Sequence, residues 1–152
     1  MTEMKFLSAG SAWSQEEVRT FLETFRAPLR LAVLDRSGFP LVCSLWFAYA
    51  NGQILCATTR DSTIVDYLSS NPKCGFELAP NEPPYFGIRG RGVATIASEG
   101  AMDLLGDLVD RYLESRDTGF AKWLLGRDVD EVVLAIDIKW MTSWDFRQRM
   151  SE

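Results

Sequence analysis

Residues 40–59 read PLVCSLWFAYANGQILCATT, two apolar runs joined by Asn51-Gly52. Both turn positions tolerate positive φ, so the pair predicts a two-residue hairpin. The pairing then follows outward from the turn. Ala50 faces Gln53, Phe47 faces Cys56, Leu45 faces Thr58 and Ser44 faces Thr59. This alternation puts Leu41, Leu45, Phe47, Ile54 and Cys56 on one face, the core side. Ser44, Trp46 and Thr59 share the other face, polar and aromatic together.

On the N-terminal side, Leu29–Leu34 is a short apolar strand closed by the turn Asp35-Arg36-Ser37-Gly38. Before it, Ser14 and Glu17 form a capping-box pair, and Val18, Phe21, Leu22 and Phe25 recur at helical spacing. On the C-terminal side, Asp61 or Ser62 caps a short helix with Ile64, Val65 and Leu68 on its apolar side, ended by Asn71-Pro72. Cys74–Leu78 and Tyr85–Ala97 read as strands. Gly87, Gly90 and Gly92 inside the second mark bends or close backbone approach. Ser98–Ser115 and Thr118–Leu125 read as helices, with Gly126 as a C-cap. In the last strand Val132, Leu134, Ile136, Ile138 and Trp140 alternate onto one face. Trp144-Asp145-Phe146 forms a tail. Closely spaced hairpins with few crossovers predict a small antiparallel barrel with helices outside it, class α+β and mainly β.

The 152 residues fit one domain, taken as 1–152. Apolar residues make up 47%, which excludes a disordered chain. The net charge of -5 opposes nucleic-acid binding. There is no histidine, which removes Ser-His-Asp and Cys-His catalysis and His-bearing metal sites. Cys43, Cys56 and Cys74 sit in separate apolar runs and read as reduced core thiols of a cytoplasmic protein. Met1–Gly10 has no basic region leading into an apolar run, and no run approaches a membrane span, so neither a signal peptide nor a membrane partner is expected. No carboxylate cluster suggests a metal.

Two stretches bear on chemistry. Gly87-Ile-Arg-Gly-Arg-Gly92 lacks the spacing of a dinucleotide loop and continues as a strand. Its Arg89 and Arg91 share a strand face, where they pair with carboxylates or bind an anion. Thr58-Thr59-Arg60-Asp61-Ser62-Thr63 runs from a strand end into a helix start. Hydroxyls, free N–H groups and the positive end of the helix dipole gather there. That fits a phosphate with Arg60 beside it, or ordinary capping by Asp61 or Ser62.

Gly38-Phe-Pro40, Ser44-Leu-Trp46-Phe47, Asn51-Gly52, Ile54-Leu55-Cys56-Ala57-Thr58, Ser62, Leu68, Asn71-Pro72 and Gly90-Arg91-Gly92 stand in a familiar order. In this order the chain resembles the pyridoxamine 5′-phosphate oxidase-like family of flavin-binding split barrels, from about Arg30 to Ile96. The resemblance implies a six-stranded antiparallel split β-barrel with peripheral helices. It also implies a homodimer with FMN in grooves between the subunits. Thr58, Thr59 and Ser62 fall at phosphate-side positions and Ser44 and Leu45 at the flavin ring, and Arg91, after the glycine of the later strand, is a further cofactor-binding candidate. The family often carries basic residues after the serine of the helix start, where this chain has Thr63 and Ile64. Arg60, two residues upstream of Ser62, is the expected substitute cation.

The resemblance implies an FMN-dependent oxidoreductase taking hydride from reduced nicotinamide or a small organic substrate. Flavin supplies its own redox chemistry, in keeping with a chain that lacks histidine. A deazaflavin coenzyme in the same groove is the alternative. A dimeric binding scaffold without redox chemistry is another. The catalytic residues and the substrate are not readable from the sequence.

Overall fold

A computed structural model describes residues 3–152. The described residues form seven strands and four α-helices. The order is α1 (Gln15–Thr24), β1 (Leu29–Leu34), β2 (Pro40–Leu45), β3 (Ala48–Ala50), β4 (Gln53–Thr59), α2 (Thr63–Ser70), β5 (Lys73–Leu78), β6 (Phe86–Ala97), α3 (Ala101–Tyr112), α4 (Gly119–Gly126) and β7 (Glu131–Asp145). The strands make one antiparallel sheet in the order β2-β1-β5-β6-β7-β4-β3.

The two edge strands of that order, β2 and β3, are separated in sequence by Trp46 and Phe47 alone. A flat seven-stranded sheet would put its edges roughly 29 Å apart, six spacings of about 4.8 Å. The sheet must therefore curl until its edges meet, giving a barrel split between β2 and β4. The predicted strand 40–50 is thus two strands, and the sheet has seven rather than six. The cause is competition for partners. Asn51, with φ 53°, and Gly52, with φ 75°, form the expected turn, and Ala50↔Gln53, Tyr49↔Ile54 and Ala48↔Leu55 pair in the expected register. Beyond Ala48 the chain leaves β4 for β1. Leu45 pairs with Leu29 and Ser44 with Arg30, not with Thr58 and Thr59.

One face of the curled sheet turns inward. Leu29, Leu31 and Val33 of β1, Phe76 and Leu78 of β5, Ile88 of β6, Ile54 and Cys56 of β4 and alternate residues of β7 fill it, with Phe47 fully buried at the break. Leu41 points inward by register but lies at the open edge and stays exposed. Close approach explains the glycines of β6. A Cβ on Gly90 would stand 2.4 Å from the Trp140 carbonyl oxygen and 2.6 Å from the Phe76 ring. In β7 the alternation slips between Ile138 and Trp140, where Lys139 is an extra residue opposite Arg91/Gly92. Trp140 therefore turns outward beside Arg91, against the sequence expectation.

The helices divide the remaining surface. α1 starts at the predicted Ser14–Glu17 capping box and buries Val18 and Leu22 at the Phe86 end of the barrel, where Trp13 and Phe21 meet Phe86. α2 inserts Ile64, Val65 and Leu68 at the opposite end. α3 packs Leu104, Leu105, Leu108 and Val109 against β4 and β7, outside the inner cluster. The outer face of β2, β1, β5 and β6 carries no helix among the described residues.

Candidate cofactor site

The free edge of β4 is the starting point. A two-residue turn makes Ala50 and Gln53 a mutually hydrogen-bonded pair. By strand periodicity, Gln53, Leu55, Ala57 and Thr59 then direct their main-chain groups to the same side. β3 takes up those of Gln53 and Leu55 only, because it ends at Ala48. Ala57 and Thr59 present theirs to the split. Thr59 spends its carbonyl on the Ser62 N–H at 3.1 Å. The side chains diverge: Thr59 faces outward with its partner Glu131, and Thr58 faces inward with Val132.

β4 leads into α2 through Arg60, Asp61 and Ser62. Ser62 is the N-cap, yet its side chain caps nothing: the buried Oγ has no hydrogen-bond partner. The N–H groups of Thr63, Ile64 and Val65 have no partner within the helix, as at any helix start. With the positive end of the helix dipole, these donors fit a phosphate oxygen. The depression here has a volume of about 760 Å³ and is lined by Arg60, Asp61, Ser62, Thr63, Asp66 and Tyr67 among others. Ile64, which stands where relatives of the expected family carry a base, is a core residue 6% exposed.

Both arginines at this cradle are already paired. Arg60 Nε donates to Asp130 Oδ2 at 2.7 Å, and its guanidinium also reaches Ser98 Oγ. On the other side, Arg36 pairs with Asp66 at 2.5 Å. An incoming anion therefore competes with an aspartate for each arginine.

The other sequence-predicted residues lie elsewhere. Ser44 is exposed on β2 and faces outward, and Leu45 beside it is half-buried and faces inward. They flank the split from the side opposite Thr58 and Thr59. Arg91 lies on the outer face of β6 with its guanidinium 5.2 Å from the Trp140 ring centre. The residue of β6 level with Ala57 is Ala97, through Val133. Arg91 is six residues short of it, roughly 20 Å of strand at about 3.3 Å per residue. One chain thus brings Thr58, Thr59, Arg60 and Ser62 together, sets Ser44 and Leu45 across the split, and leaves Arg91 apart.

Sequence reasoning missed Asp130, whose pairing with Arg60 spans 70 residues. It also missed the main chain of Ala57, which turn parity could have found. Burial pushes all three thiols up, Cys74 to about 11. Among the described residues no three His, Cys, Asp or Glu side chains group as metal ligands. None of the described helices is long and apolar enough to cross a membrane.

No protein-family model matches the sequence, and no curated protein matches it significantly. Solved structures do match in fold. A conserved hypothetical protein of Mycobacterium tuberculosis superposes with a TM-score of 0.77 at 23% identity, over 95% of this chain and 92% of the other. An F420 reductase gives 0.67 at 20% identity, over 85% and 98%. A candidate pyridoxamine 5′-phosphate oxidase of Listeria innocua gives 0.64 at 12% identity, over 84% and 95%. At these identities the likeness is one of fold.

Proposed function

We propose that this chain is a homodimeric oxidoreductase of the pyridoxamine 5′-phosphate oxidase-like family that holds FMN in the split between β2 and β4. The single observation that carries the reading is the orphaned Ser62 Oγ at the start of α2, beside the unpaired main-chain edge of β4. That arrangement offers phosphate donors next to donors and acceptors for a planar heterocycle. Thr59 and Ser62 would hold the phosphate, with Thr58 beneath them. The edge of Ala57 would meet the ring, and Ser44 and Leu45 would close on it from β2. When bound, the flavin supplies the hydride chemistry. The chain binds it, orients it and excludes water.

The second copy follows from the uncovered sheet face. Pro40, Val42, Leu34, Ala32 and Val93 make it apolar, and Val42 is 63% exposed. Lys73, Arg89 and Arg91 stand on the same face with no ion pair among the described residues, so a second copy could bring the cations that the cradle lacks.

One observation favours the deazaflavin alternative. Both arginines at the cradle are paired with aspartates. A phosphodiester, as in such coenzymes, carries one negative charge and needs less cation than the dianion of FMN. The test is a titration of the purified protein with FMN and with a deazaflavin phosphodiester, read by fluorescence. Stoichiometric FMN binding supports the first reading. Deazaflavin binding without FMN binding selects the second, and binding of neither overturns both.

A further inference from the structure

Phe120 and Trp123 of α4 continue a row of rings that starts at Trp46 and Tyr112 and that the cofactor cradle does not use. Trp46, at the apex of the split, stacks on Tyr112 at 5.0 Å with the planes 6° apart. Phe120 meets Trp46 edge-on at 6.4 Å and stacks with Trp123 at 5.8 Å. The Arg127 guanidinium lies 5.1 Å from the Trp123 ring and pairs with the buried Glu131. Glu131 is the register partner of Thr59. The row therefore runs beside β4 from the Trp46 apex of the split to the level of Thr59, on the β7 side of that strand.

Its inner rings are half-buried, but Phe120 is 51% and Trp123 59% exposed. Large apolar rings held in order at the surface beside a groove call for an occupant. Charge narrows its chemistry. The basic residues between Leu113 and Glu131 are Arg116, Lys122 and Arg127. Each is ion-paired, to Asp110, Asp117 and Glu131. The acidic residues of the same stretch are Glu114, Asp117, Asp128, Asp130 and Glu131, a surplus of negative charge. The wall attracts rings and repels anions.

We propose that α4 is the substrate wall of the groove and takes an uncharged planar aromatic ring against Trp46, Phe120 and Trp123. The proposal rests on the cofactor reading above, which puts the flavin ring beside Ser44 and Leu45, next to Trp46. Stacking on exposed aromatic faces rewards planar partners beyond simple burial.

The test uses the full chain and a matched pair of probes, naphthalene-2-carboxamide and 2-naphthoate, by calorimetric titration. The carboxamide is expected to bind at least about tenfold tighter than the carboxylate. The double variant Phe120→Leu with Trp123→Leu keeps apolar bulk and is expected to lose about tenfold of carboxamide affinity with its melting temperature preserved. Equal affinity for both probes, or undiminished binding by the leucine variant, overturns the proposal. So does a change in sedimentation between wild type and variant, which makes the wall a surface between copies. Ring-dependent pelleting with phosphatidylcholine vesicles overturns it in favour of a lipid surface. FMN titration of the same preparation reads the cofactor separately. Ring-dependent carboxamide binding without FMN binding supports the wall and removes only the flavin.

Discussion

Asp130 holds Arg60 twice, by its carboxylate on the guanidinium at 2.7 Å and by its carbonyl on the main-chain N–H at 2.8 Å. The second bond fixes the strand end, and the first occupies the one cation that the sequence points to as a phosphate partner. Asp130→Asn keeps the main-chain bond and releases the charge. It is expected to raise FMN affinity by about threefold to tenfold, a partly exposed charge-assisted bond being worth about 1 kcal/mol. Arg60→Ala is expected to lower it. Fluorescence titration of the three proteins checks both, and equal affinities would refute the role of the pair.

The proposed dimer would use the uncovered sheet face, where Val42 stands exposed on the edge strand β2. Val42→Glu places a carboxylate in that apolar surface. Sedimentation velocity is expected to show a wild-type dimer and a monomeric variant. A wild-type monomer at micromolar concentration removes the dimer from the proposal.

Gly90 has no room for a methyl group, with a carbonyl oxygen and the Phe76 ring both inside 3 Å of its Cβ position. Gly90→Ala is expected to cost at least about 3 kcal/mol through main-chain displacement and core overpacking. Gly126→Ala, at a position with open space, serves as the comparison in urea denaturation. Equal midpoints for the two variants would contradict the close packing of β6 on β7.

Arg111 donates to the carbonyls of Leu22, Glu23 and Phe25, at 3.0, 2.8 and 2.9 Å, and so caps the end of α1, which has no basic residue in its own last turn. Arg111→Ala is expected to destabilise the chain by about 2–4 kcal/mol, since the bonds are charge-assisted but not additive. The loss is to be read from urea midpoints, with Arg116→Ala, an exposed pair with Asp110, expected near zero.

Asp145 is held well below the usual carboxylate range, first by hydrogen bonds from Arg147, with partial burial opposing and the Trp13 indole adding to the shift. A lowered folded-state value means that its contribution is complete above the unfolded value of about 3.9 and is lost as pH falls below it. The melting temperature of wild type is expected to fall more steeply below about pH 4 than that of Asp145→Asn. Parallel curves would show the Arg147 contact to be without energetic weight.

Local signals were legible and distant ones were not. The Ser14–Glu17 capping box, the Asn51-Gly52 turn and the glycines of β6 each depend on a few consecutive residues, and the structure contains all three. The break at Trp46-Phe47 was not legible, because it depends on β1 competing with β4 for the same strand. The slip at Lys139 depends on β6, almost fifty residues away. At the site, Ser62 was found as a helix start, but the aspartates that pair with the nearby arginines stand 30 residues from Arg36 and 70 residues from Arg60 in the sequence. Polar pairing over such separations leaves no periodic trace in a sequence.

The two-residue link between β2 and β3 also sets a mechanical limit. From Leu45 to Ala48 the chain takes three peptide steps, a reach of at most roughly 11 Å. The Phe47 N–H in that link is hydrogen-bonded to the Tyr112 hydroxyl, which itself donates to the Ala27 carbonyl. The link thus ties the two edges together at a pinned point. The two edges are joined at Trp46-Phe47, so a guest in the proposed groove would enter from the end away from that link. Lengthening the link by two residues should deepen the gap. Removing it should carry the pairing on from Ala48↔Leu55 and set Ser44 opposite Ala57, and the groove would vanish into an ordinary hairpin.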